Sequence, residues 1–409
     1  MTERSKRHLP YGRHHIDEDD IAAVAAVLRG DSLTGGPVVA EFEQAFANRV
    51  GARYAVACAN GTAGLHLATM ALGLGPADSV VVPTLTFLAT ANAARYVGAE
   101  AAFADVDPST GLMRASDLEH ALEREESGKV KAVIPVHLNG QSADMESLAD
   151  LSTKNGLFVI EDACHAIGAT YRTHAGEEVR VGSCRHSDLT VFSLHPVKTI
   201  AMGEGGVVTT NDPGRYADLL RLRNHGMDRE ASHFVQRDEA FDANGAANPW
   251  YYEMHEPGYN YRATDIHCAL GLSQLRKLDR FLARRRALAD VYDKMLAPLS
   301  PVIRPVPRVI GGTSGWHLYV VHVDFEAIGV TRADLMRKLL KQDIGTQVHY
   351  LPVHRQPYYR SRYGQLSLIG ADAYYSSCLS LPLFPAMSEG DVGRVVTSLS
   401  GILTTASKA

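Results

Sequence analysis

The sequence predicts an α/β protein whose largely parallel sheet carries helices on both faces. Short apolar runs read as buried strands and are separated by stretches of helical pattern. These runs are YAVACA, SVVVPT, AAFADVD, KAVIPVHLNG, GLFVIEDA, DLTVFSLH and GGVVTTND. Strands that are covered on both faces are apolar throughout, so the runs favour a parallel sheet. With 409 residues, 45% of them hydrophobic, the chain is long enough for two domains.

Helices are predicted before, between and after these strands. IDEDDIAAVAAVLRG begins with acidic residues, which suit the positive end of a helix, and VVAEFEQAFANRVG is a second helix. GTAGLHLATMALGLG follows the first strand as a third helix and ends at a glycine. Residues 228–257 are polar and rich in Asn, Gly and Pro, and a loop of that length is usually functional.

The C-terminal part predicts a smaller α/β domain. TDIHCALGLSQLRKLDRFLARRRALADVYDKML reads as a long helical region. Beyond it, HLYVVHVDF, ADLMRKLLKQ and GTQVHYLPVH predict a further alternation of strand and helix.

Composition excludes several functional classes. The net charge of −5 gives no global field that would favour nucleic acid or an anionic membrane. Apolar runs fall well short of the roughly 18 residues of a membrane span, and no apolar stretch follows the basic N-terminus as in a secretory signal. The five cysteines lack CxxC spacing, which suits free thiols in a reducing cytoplasm and no metal site.

A lysine and a carboxylate are expected at the head of the sheet. Lys198 lies in SLHPVKTIAMGEGG, between a strand run and a glycine-rich turn, and Asp162 ends the run FVIED. Such an amine can hold an aldehyde cofactor as a Schiff base, while the carboxylate keeps a ring nitrogen protonated. Taken singly, Lys198 could be a solvated lysine and Asp162 a salt-bridge partner or a helix cap.

Further residues suggest a phosphate and a flat ring. Asn60 begins the segment NGTAG, which follows a strand and opens a helix. The free N–H groups at the start of that helix could bind a phosphate, and an ordinary strand-to-helix turn is the alternative. Ser193 ends another strand and could bind the same phosphate or cap a helix. Phe87 could stack on a ring or belong to the core. His165 could touch a ring oxygen or be a plain helix residue.

Together these segments resemble the DegT/DnrJ/EryC1/StrS family of sugar aminotransferases. The resemblance runs from Tyr11 to Pro382. The matching segments are LTGGPVVAEFEQAFA, NGTAGLHLA, TFLATANAARYVGA, DVDPSTG, PVHLNGQ, IEDACHAIGA, VFSLHPVKTIAMGEGGVVTTND, LRNHGM, GYNYRATDIHCALGLSQL and VHYLPVHRQPYY. The resemblance implies that this protein is a pyridoxal-phosphate enzyme with the aspartate-aminotransferase fold, which is fold type I. It implies an N-terminal segment at the substrate cleft (1–34), a large cofactor-binding domain (35–270) and a small C-terminal α/β domain (271–409).

The resemblance assigns the cofactor contacts residue by residue. It implies a Schiff base on Lys198, pairing of Asp162 with the pyridine nitrogen, contact of His165 with the ring or its 3-hydroxyl, and stacking of Phe87. It further implies that the phosphate is held by Thr62, Ala63 and Ser193 and, from the neighbouring subunit, by Asn260. The active sites would thus be shared within a homodimer.

The resemblance also assigns a pocket for a nucleotide sugar. Its residues would be Tyr11, Leu33, Thr34, Gly35, Gly36, Asn60, His195, Gln347, Val348, His349 and Tyr350. Asn60 stands where the family usually has Ser, and LTGG replaces the more common LTQG. His349, His354 and Arg355 could supply charge for a diphosphate or lie in a solvated loop. Tyr350, Tyr358 and Tyr359 could stack on a base or be core aromatics.

The implied reaction is ping-pong transfer of an amino group from glutamate to a keto sugar. EDACHAIG, FSLHPVK and HYLPVHRQPYY resemble the branch that aminates a UDP-linked 4-keto-6-deoxy-N-acetylhexosamine at C4, on the route to pseudaminic acid. Alternatives are amination at C3, or a dTDP-sugar, GDP-sugar or cyclitol as acceptor. Dehydratase relatives carry His in place of the lysine, so Lys198 argues against that chemistry. A non-catalytic sensor on this fold is disfavoured because Lys198, Asp162 and Ser193 are all intact.

Overall fold

The computed structural model describes residues 8–125 and 129–406, in which strands and helices alternate. The strands are β1 (Tyr54–Cys58), β2 (Ser79–Pro83), β3 (Glu100–Ala104), β4 (Val130–Val133), β5 (Phe158–Asp162), β6 (Thr170–Arg172), β7 (Glu178–Arg180), β8 (Leu189–Ser193), β9 (Gly206–Thr210), β10 (Met227–Asp228), β11 (Glu253–Met254), β12 (Ile303–Pro305), β13 (Tyr319–Val323) and β14 (Cys378–Leu381). The helices are α1 (Glu18–Leu28), α2 (Pro37–Val50), α3 (Gly61–Ala71), α4 (Leu88–Tyr96), α5 (Ala115–Arg124), α6 (Met145–Lys154), α7 (Pro213–Leu222), α8 (Arg237–Ala240), α9 (Asp265–Arg276), α10 (Leu278–Leu296), α11 (Arg332–Leu340), α12 (Pro357–Tyr363), α13 (Ile369–Ser377) and α14 (Glu389–Ala406).

The main sheet has seven strands in the order β1-β9-β8-β5-β4-β2-β3. Strand β9 is antiparallel to both of its neighbours, and every other pair is parallel. All strands except β9 therefore run in one direction and end at one edge of the sheet. In such sheets, ligands bind beyond the carboxyl ends of the strands.

The predicted α/β class with a mainly parallel sheet is confirmed. All seven predicted strand runs lie in the main sheet. The long helical region consists of two helices, α9 and α10, which meet at Lys277. The predicted strand in GTQVHYLPVH is wrong, because this segment pairs with β14 only through one bridge, Gln347 to Ser380. Residues 228–257 contain the one-turn helix α8 and the short strand β11, which pairs with β10 at the start of this stretch.

Two apolar cores cover the two faces of the main sheet, and a third lies around the small sheet β12–β13–β14. Helix α10 belongs to two of them. Leu278 and Leu282 pack in a core of the main sheet, whereas Leu288 and Tyr292 pack in the core of the small sheet. Helix α10 therefore contributes to the core of the main sheet and to the core of the small sheet.

Arg285 lies between these two halves of α10 and is fully buried. Its Nη1 donates to the carbonyl oxygens of Trp316, His317 and Leu383, at 3.1, 3.2 and 2.9 Å. Burial lowers the pKa of the guanidinium to about 10. This one side chain thus joins α10 to the segments that enter β13 and leave β14.

The N-terminal segment is hydrogen-bonded to the small part of the molecule. Leu9 donates its N–H to the carbonyl of Asp343 and accepts from Gly345, at 2.8 and 2.7 Å. The carbonyl of Tyr11 accepts from the N–H of Leu383 at 3.0 Å. Within the described ranges, no helix combines the length and apolar character needed to span a membrane.

Helix α1 is docked on α9 through the buried carboxylate of Asp20. Its Oδ1 accepts from the hydroxyl of Ser273 at 2.6 Å and lies 2.9 Å from Nζ of Lys277. Its Oδ2 accepts from the side-chain amide of Gln274 at 2.7 Å. An acid without exposure is tolerated here because each oxygen has donors.

We expect Asp20→Ala to destabilise the protein by about 2–3 kcal/mol, because it leaves the Ser273 hydroxyl, the Gln274 amide and the N–H of Asp17 without their acceptor. The Lys277 ammonium loses one of its two carboxylate partners and keeps the other, Asp17. Asp19→Ala, at an exposed position of the same helix, is the matched control and should change stability by less than about 0.5 kcal/mol. Denaturant unfolding followed by circular dichroism measures both. Equal midpoints for the two variants would contradict this account of the docking.

Candidate active site

A cavity of about 560 Å³ opens beyond the carboxyl ends of β1, β2, β5 and β8. Its size lies within the range of small-molecule sites. It is lined by Tyr11, Asn60, Gly61, Thr62, Leu65, Thr86, Phe87, Ala89, Val136, Asp162, Cys164, His165, Ser193, His195, Val197, Lys198, Glu204, Gln347, Val348, His349 and Tyr350. Most of the side chains that the sequence singled out therefore meet in one place.

Lys198 reaches this cavity from the loop that joins β8 to the reversed strand β9. Its N–H donates to the carbonyl of His195 at 2.8 Å, which closes a turn directly after β8. Burial lowers the pKa of the Lys198 amine below its ordinary value, while Cys164 and Asp162 act in the opposite direction. A lowered pKa increases the fraction of neutral amine, the form that attacks carbonyl groups and takes up protons.

Asp162, the last residue of β5, is 5% exposed and lines the cavity. Its Oδ2 accepts from the hydroxyl of Thr90 at 2.7 Å, and its Oδ1 accepts from the N–H of Cys164 at 3.1 Å. The Thr90 hydroxyl lies 2.7 Å from that of Thr86. Among the described residues Asp162 has no salt-bridge partner, so the pairing considered as an alternative is not found there.

His165 is held between two aromatic side chains. Its Nε2 lies 3.0 Å from the hydroxyl of Tyr350, and its ring centre lies 4.4 Å from that of His317. Its Nδ1 is buried and has no hydrogen-bond partner within the described chain. Burial lowers the pKa of His165 well below its ordinary value, and Lys198 and His349 lower it further. The imidazole is therefore neutral near pH 7.

The first turn of α3 forms one wall of the cavity. Asn60 caps this helix, because its Oδ1 accepts from the N–H of Ala63 at 2.8 Å. A Cβ atom on Gly61 would lie 2.9 Å from Cβ of Ser193 and 3.2 Å from Sγ of Cys164, so only glycine lets the helix start approach β8 this closely. The positive end of α3 and the Ser193 side chain thus face the same cavity, as an anion requires.

The opposite wall comes from the small part of the molecule and the N-terminal segment. Nδ1 of His349 lies 2.7 Å from the hydroxyl of Ser380, and its ring packs 5.4 Å from that of Tyr11. Burial, with a contribution from Lys198, lowers the pKa of His349 to about 3. Phe87 is 55% exposed, and its ring centre lies 6.1 Å from that of Tyr350. Phe87 is thus a cavity residue, not a core residue.

Two predicted groups lie outside this chain's own cavity. Leu33–Gly36 is bound to the start of α9: the carbonyl of Leu33 accepts from the N–H of Asp265, and the N–H of Gly36 donates to Oδ2 of Asp265, at 3.0 and 2.8 Å. Asn260 is exposed and forms a bridge with Asn224. Ala63 is buried and does not line the cavity either, and its N–H donates to the Asn60 side chain.

The proposed charged and aromatic contacts after Tyr350 are not at the cavity. His354 is buried and lies 2.7 Å from the Thr84 hydroxyl, while Arg355 pairs with Asp372. Tyr359 is a core aromatic, 5.2 Å from Phe103. Of the residues predicted to bind a diphosphate or to stack on a base, only His349 and Tyr350 line the cavity.

Sequence reasoning missed several residues of the site. They are Thr86, Thr90, Cys164, Glu204 and His317. The threonines in TLTFLATANA carried a usable signal, because positions i and i+4 face the same way at a helix start. His317 carried none, since only the tertiary fold brings it to His165.

The donor set fits pyridoxal phosphate. One cavity contains an amine for an aldehyde, a buried carboxylate for a basic ring nitrogen, and a helix start with a hydroxyl for a phosphate. The exposed ring of Phe87 provides an aromatic surface in the same cavity. These are the protein groups that this cofactor's chemistry needs.

Comparisons with known proteins identify the family of the chain. The model of the DegT/DnrJ/EryC1/StrS aminotransferase family matches residues 14–400. The chain is 39% identical to the spore coat polysaccharide biosynthesis protein SpsC of Bacillus subtilis over 407 residues, covering 98% of this chain and 99% of SpsC.

Solved structures give the same result. Helicobacter pylori PseC, an aminotransferase involved in the biosynthesis of pseudaminic acid, superposes with a TM-score of 0.85 at 26% identity, covering 98% of this chain and 100% of PseC. Streptococcus pneumoniae Spr1654 in its PLP form superposes with a TM-score of 0.84 at 27% identity, with the same coverage. The chain belongs to the DegT/DnrJ/EryC1/StrS aminotransferase family and is a pyridoxal-phosphate-dependent aminotransferase.

Proposed function

We propose that the protein transfers an amino group from glutamate to C4 of a UDP-linked 4-keto-6-deoxy-N-acetylhexosamine. The observation that carries this proposal is a single cavity with two unlike walls. One wall holds Lys198, Asp162 and the start of α3, and the other is formed by Tyr11 and residues 347–350. The second wall provides side chains for a sugar beyond those that a cofactor needs. The names of SpsC and PseC, which refer to polysaccharide and pseudaminic acid biosynthesis, support a sugar as the acceptor.

The chain's own residues have separable roles in this reaction. Pyridoxal phosphate supplies, when bound, an aldehyde that holds the amino group and a ring that accepts electrons. We assign to the Lys198 amine the covalent bond to the cofactor and the transfer of the donor's α-proton, which its lowered pKa favours. Asp162 would keep the ring nitrogen protonated, and the start of α3 with Ser193 would hold the phosphate.

The second wall offers neutral hydrogen-bonding groups to the sugar. His349 is neutral because burial and Lys198 lower its pKa to about 3. Burial also raises the pKa of the Tyr11 and Tyr350 hydroxyls, so both stay protonated. Neutral imidazole and phenol groups donate and accept hydrogen bonds, as a sugar with keto, hydroxyl and acetamido groups requires.

Related acceptors remain the second candidate. Amination at C3, or of a dTDP-sugar, a GDP-sugar or a cyclitol, would use the same cofactor groups. A dehydratase or a non-catalytic sensor is less consistent with the site, because Lys198 lies in the cavity near Asp162 and carries a lowered pKa.

We further propose a homodimer in which each chain completes the partner's site. Asn260 and Leu33–Gly36 lie outside the cavity of their own chain, and both adjoin the start of α9. The surface around Asn260 is unusually aromatic for an exposed segment: Tyr96 and Tyr259 are 50% and 41% exposed and pack on the buried ring of His66. Exposed aromatic surface of this kind is typical of an interface.

Lys198→Ala should reduce turnover by at least about 10²-fold, because proton transfer by a positioned side chain contributes that much or more. The substitution also removes the covalent anchor of the cofactor, so the absorption band of the bound cofactor should change. Lys154→Ala, at the exposed end of α6, is the control and should retain full turnover. Turnover of Lys198→Ala within about tenfold of the wild type would contradict the assignment.

Mixed dimers test the shared site. Lys198→Ala and Asn260→Ala chains should each be inactive, whereas an equal mixture should regain about a quarter of wild-type activity, because half of the dimers then contain one intact site. Lys198→Ala mixed with Asp162→Asn is the control and should regain none, since both lesions lie in the chain that holds the cavity. Failure of the first pair to recover, after proven exchange of subunits, would overturn the dimer proposal.

The acceptor is tested with UDP-, dTDP- and GDP-linked 4-keto sugars and glutamate, with the product identified by mass and NMR. We expect the UDP-linked 4-keto-6-deoxy-N-acetylhexosamine to have the highest kcat/KM and to give a 4-amino sugar. A tenfold preference for another nucleotide or for a 3-keto isomer, about 1.4 kcal/mol in transition-state stabilisation, would show that the substrate assignment is wrong. The aminotransferase activity itself would survive that result.

A further inference from the structure

Two buried threonines form a hydrogen-bonded chain that ends on the carboxylate of Asp162. The hydroxyl of Thr86 lies 2.7 Å from that of Thr90, and the Thr90 hydroxyl lies 2.7 Å from Oδ2 of Asp162. Thr86 is 2% exposed and Thr90 has no exposed surface. Of the two, Thr86 lines the cavity.

The direction of these hydrogen bonds follows from the charge at one end. An ionised carboxylate only accepts, so the Thr90 hydroxyl must donate to Asp162. The oxygen of Thr90 is then free to accept, and the Thr86 hydroxyl donates to it. The chain therefore runs Thr86 to Thr90 to Asp162, and the oxygen of Thr86 is left as an acceptor on the side of the cavity.

The hydrogen bond from Thr90 matters for the Asp162 carboxylate because that side chain is almost fully buried. A buried carboxylate is stable in its ionised form only when donors surround it. Two donors are present, the Thr90 hydroxyl on Oδ2 and the N–H of Cys164 on Oδ1. Both approach from the protein side, since Thr90 lies in α4 and Cys164 follows β5.

The alternative is that the Thr90 hydroxyl bonds only to the backbone of its own helix, and the geometry fits this less well. Threonine in a helix commonly turns its hydroxyl back to the carbonyl of residue i−4. Here the hydroxyl of Thr90 is directed across to another element, 72 residues along the chain. The bond thus links α4 to the end of β5 and restricts the rotation of the Asp162 side chain.

We propose that Thr90 is a positioning residue for Asp162, and that Thr86 supports it. Thr90 holds one carboxylate oxygen and leaves the remaining lone pairs of the carboxylate for the cavity. The inference rests on the proposed pairing of Asp162 with the ring nitrogen of the cofactor. It adds that this pairing depends on a hydroxyl that does not line the cavity.

The test measures the affinity of the full-length apoprotein for pyridoxal phosphate and for an analogue in which carbon replaces the ring nitrogen. Thr90→Val has nearly the same shape but no hydroxyl, and Thr90→Ser keeps the hydroxyl. We expect Thr90→Val to bind pyridoxal phosphate at least about tenfold more weakly, as for a lost bond to a charged group, and to bind the analogue like the wild type. Thr90→Ser should resemble the wild type with both ligands.

A double-mutant comparison separates this inference from the proposal beneath it. In Asp162→Asn the preference for pyridoxal phosphate over the analogue should fall, and adding Thr90→Val should cause no further loss. Equal weakening of both ligands by Thr90→Val, or no weakening of either, would overturn the role of Thr90 alone. If Asp162→Asn leaves the preference intact, the pairing with the ring nitrogen is wrong and both proposals fail.

Thr86→Val keeps the test decisive if Thr90→Val does not fold, as judged by its thermal transition. It removes the donor to Thr90 but leaves the bond to Asp162 in place. We expect a smaller loss of affinity for pyridoxal phosphate and none for the analogue. An equal loss of affinity for both ligands would contradict the proposed role of the hydrogen bonds that link Thr86, Thr90 and Asp162.

Discussion

The active site depends on one topological constraint, the reversal of β9 within an otherwise parallel sheet. Because β8 and β9 are neighbours and antiparallel, the loop between them must turn back at the edge where β1, β2, β5 and β8 end. That loop carries Lys198, and β5 ends in Asp162. A parallel β9 would have needed a crossover of a dozen or more residues, which would have carried the chain away from this edge. The lysine and the carboxylate thus meet because of strand direction.

The electrostatics of the cavity follow from burial more than from ion pairing. The side chains of His165, His317 and His349 are buried, and burial lowers the pKa of all three below the ordinary value. Lys198 contributes to each of these shifts, and none of the three histidines adds positive charge near the amine at neutral pH. Asp162 is stabilised by neutral donors, a hydroxyl and a backbone N–H. The site therefore combines neutral hydrogen-bonding groups with the Lys198 amine and the carboxylates of Asp162 and Glu204.

The sequence predicted the parts of this site that depend on local pattern. Lys198, Asp162 and Ser193 stand out because polar groups at the ends of apolar strands are costly unless they are used. The seven strand runs were recognisable because each is almost continuously apolar. His317 could not be predicted, since nothing near it in the chain indicates contact with His165. The segment GTQVHYLPVH has the composition of a strand but forms only one bridge, because pairing is decided by what lies alongside it. The position of Asn260 relative to a second chain lies beyond the pattern of one sequence.

The course of α10 restricts how this enzyme can move. The helix is continuous from Leu278 to Leu296, yet its first turns are embedded in one core and its last turns in another. Arg285, between them, binds the backbone on both sides of the small sheet. A hinge opening between the two parts would have to bend a 19-residue rod or strip a buried guanidinium of three carbonyl partners. This geometry therefore favours access by rearrangement of surface loops over a clam-like closure of the two parts.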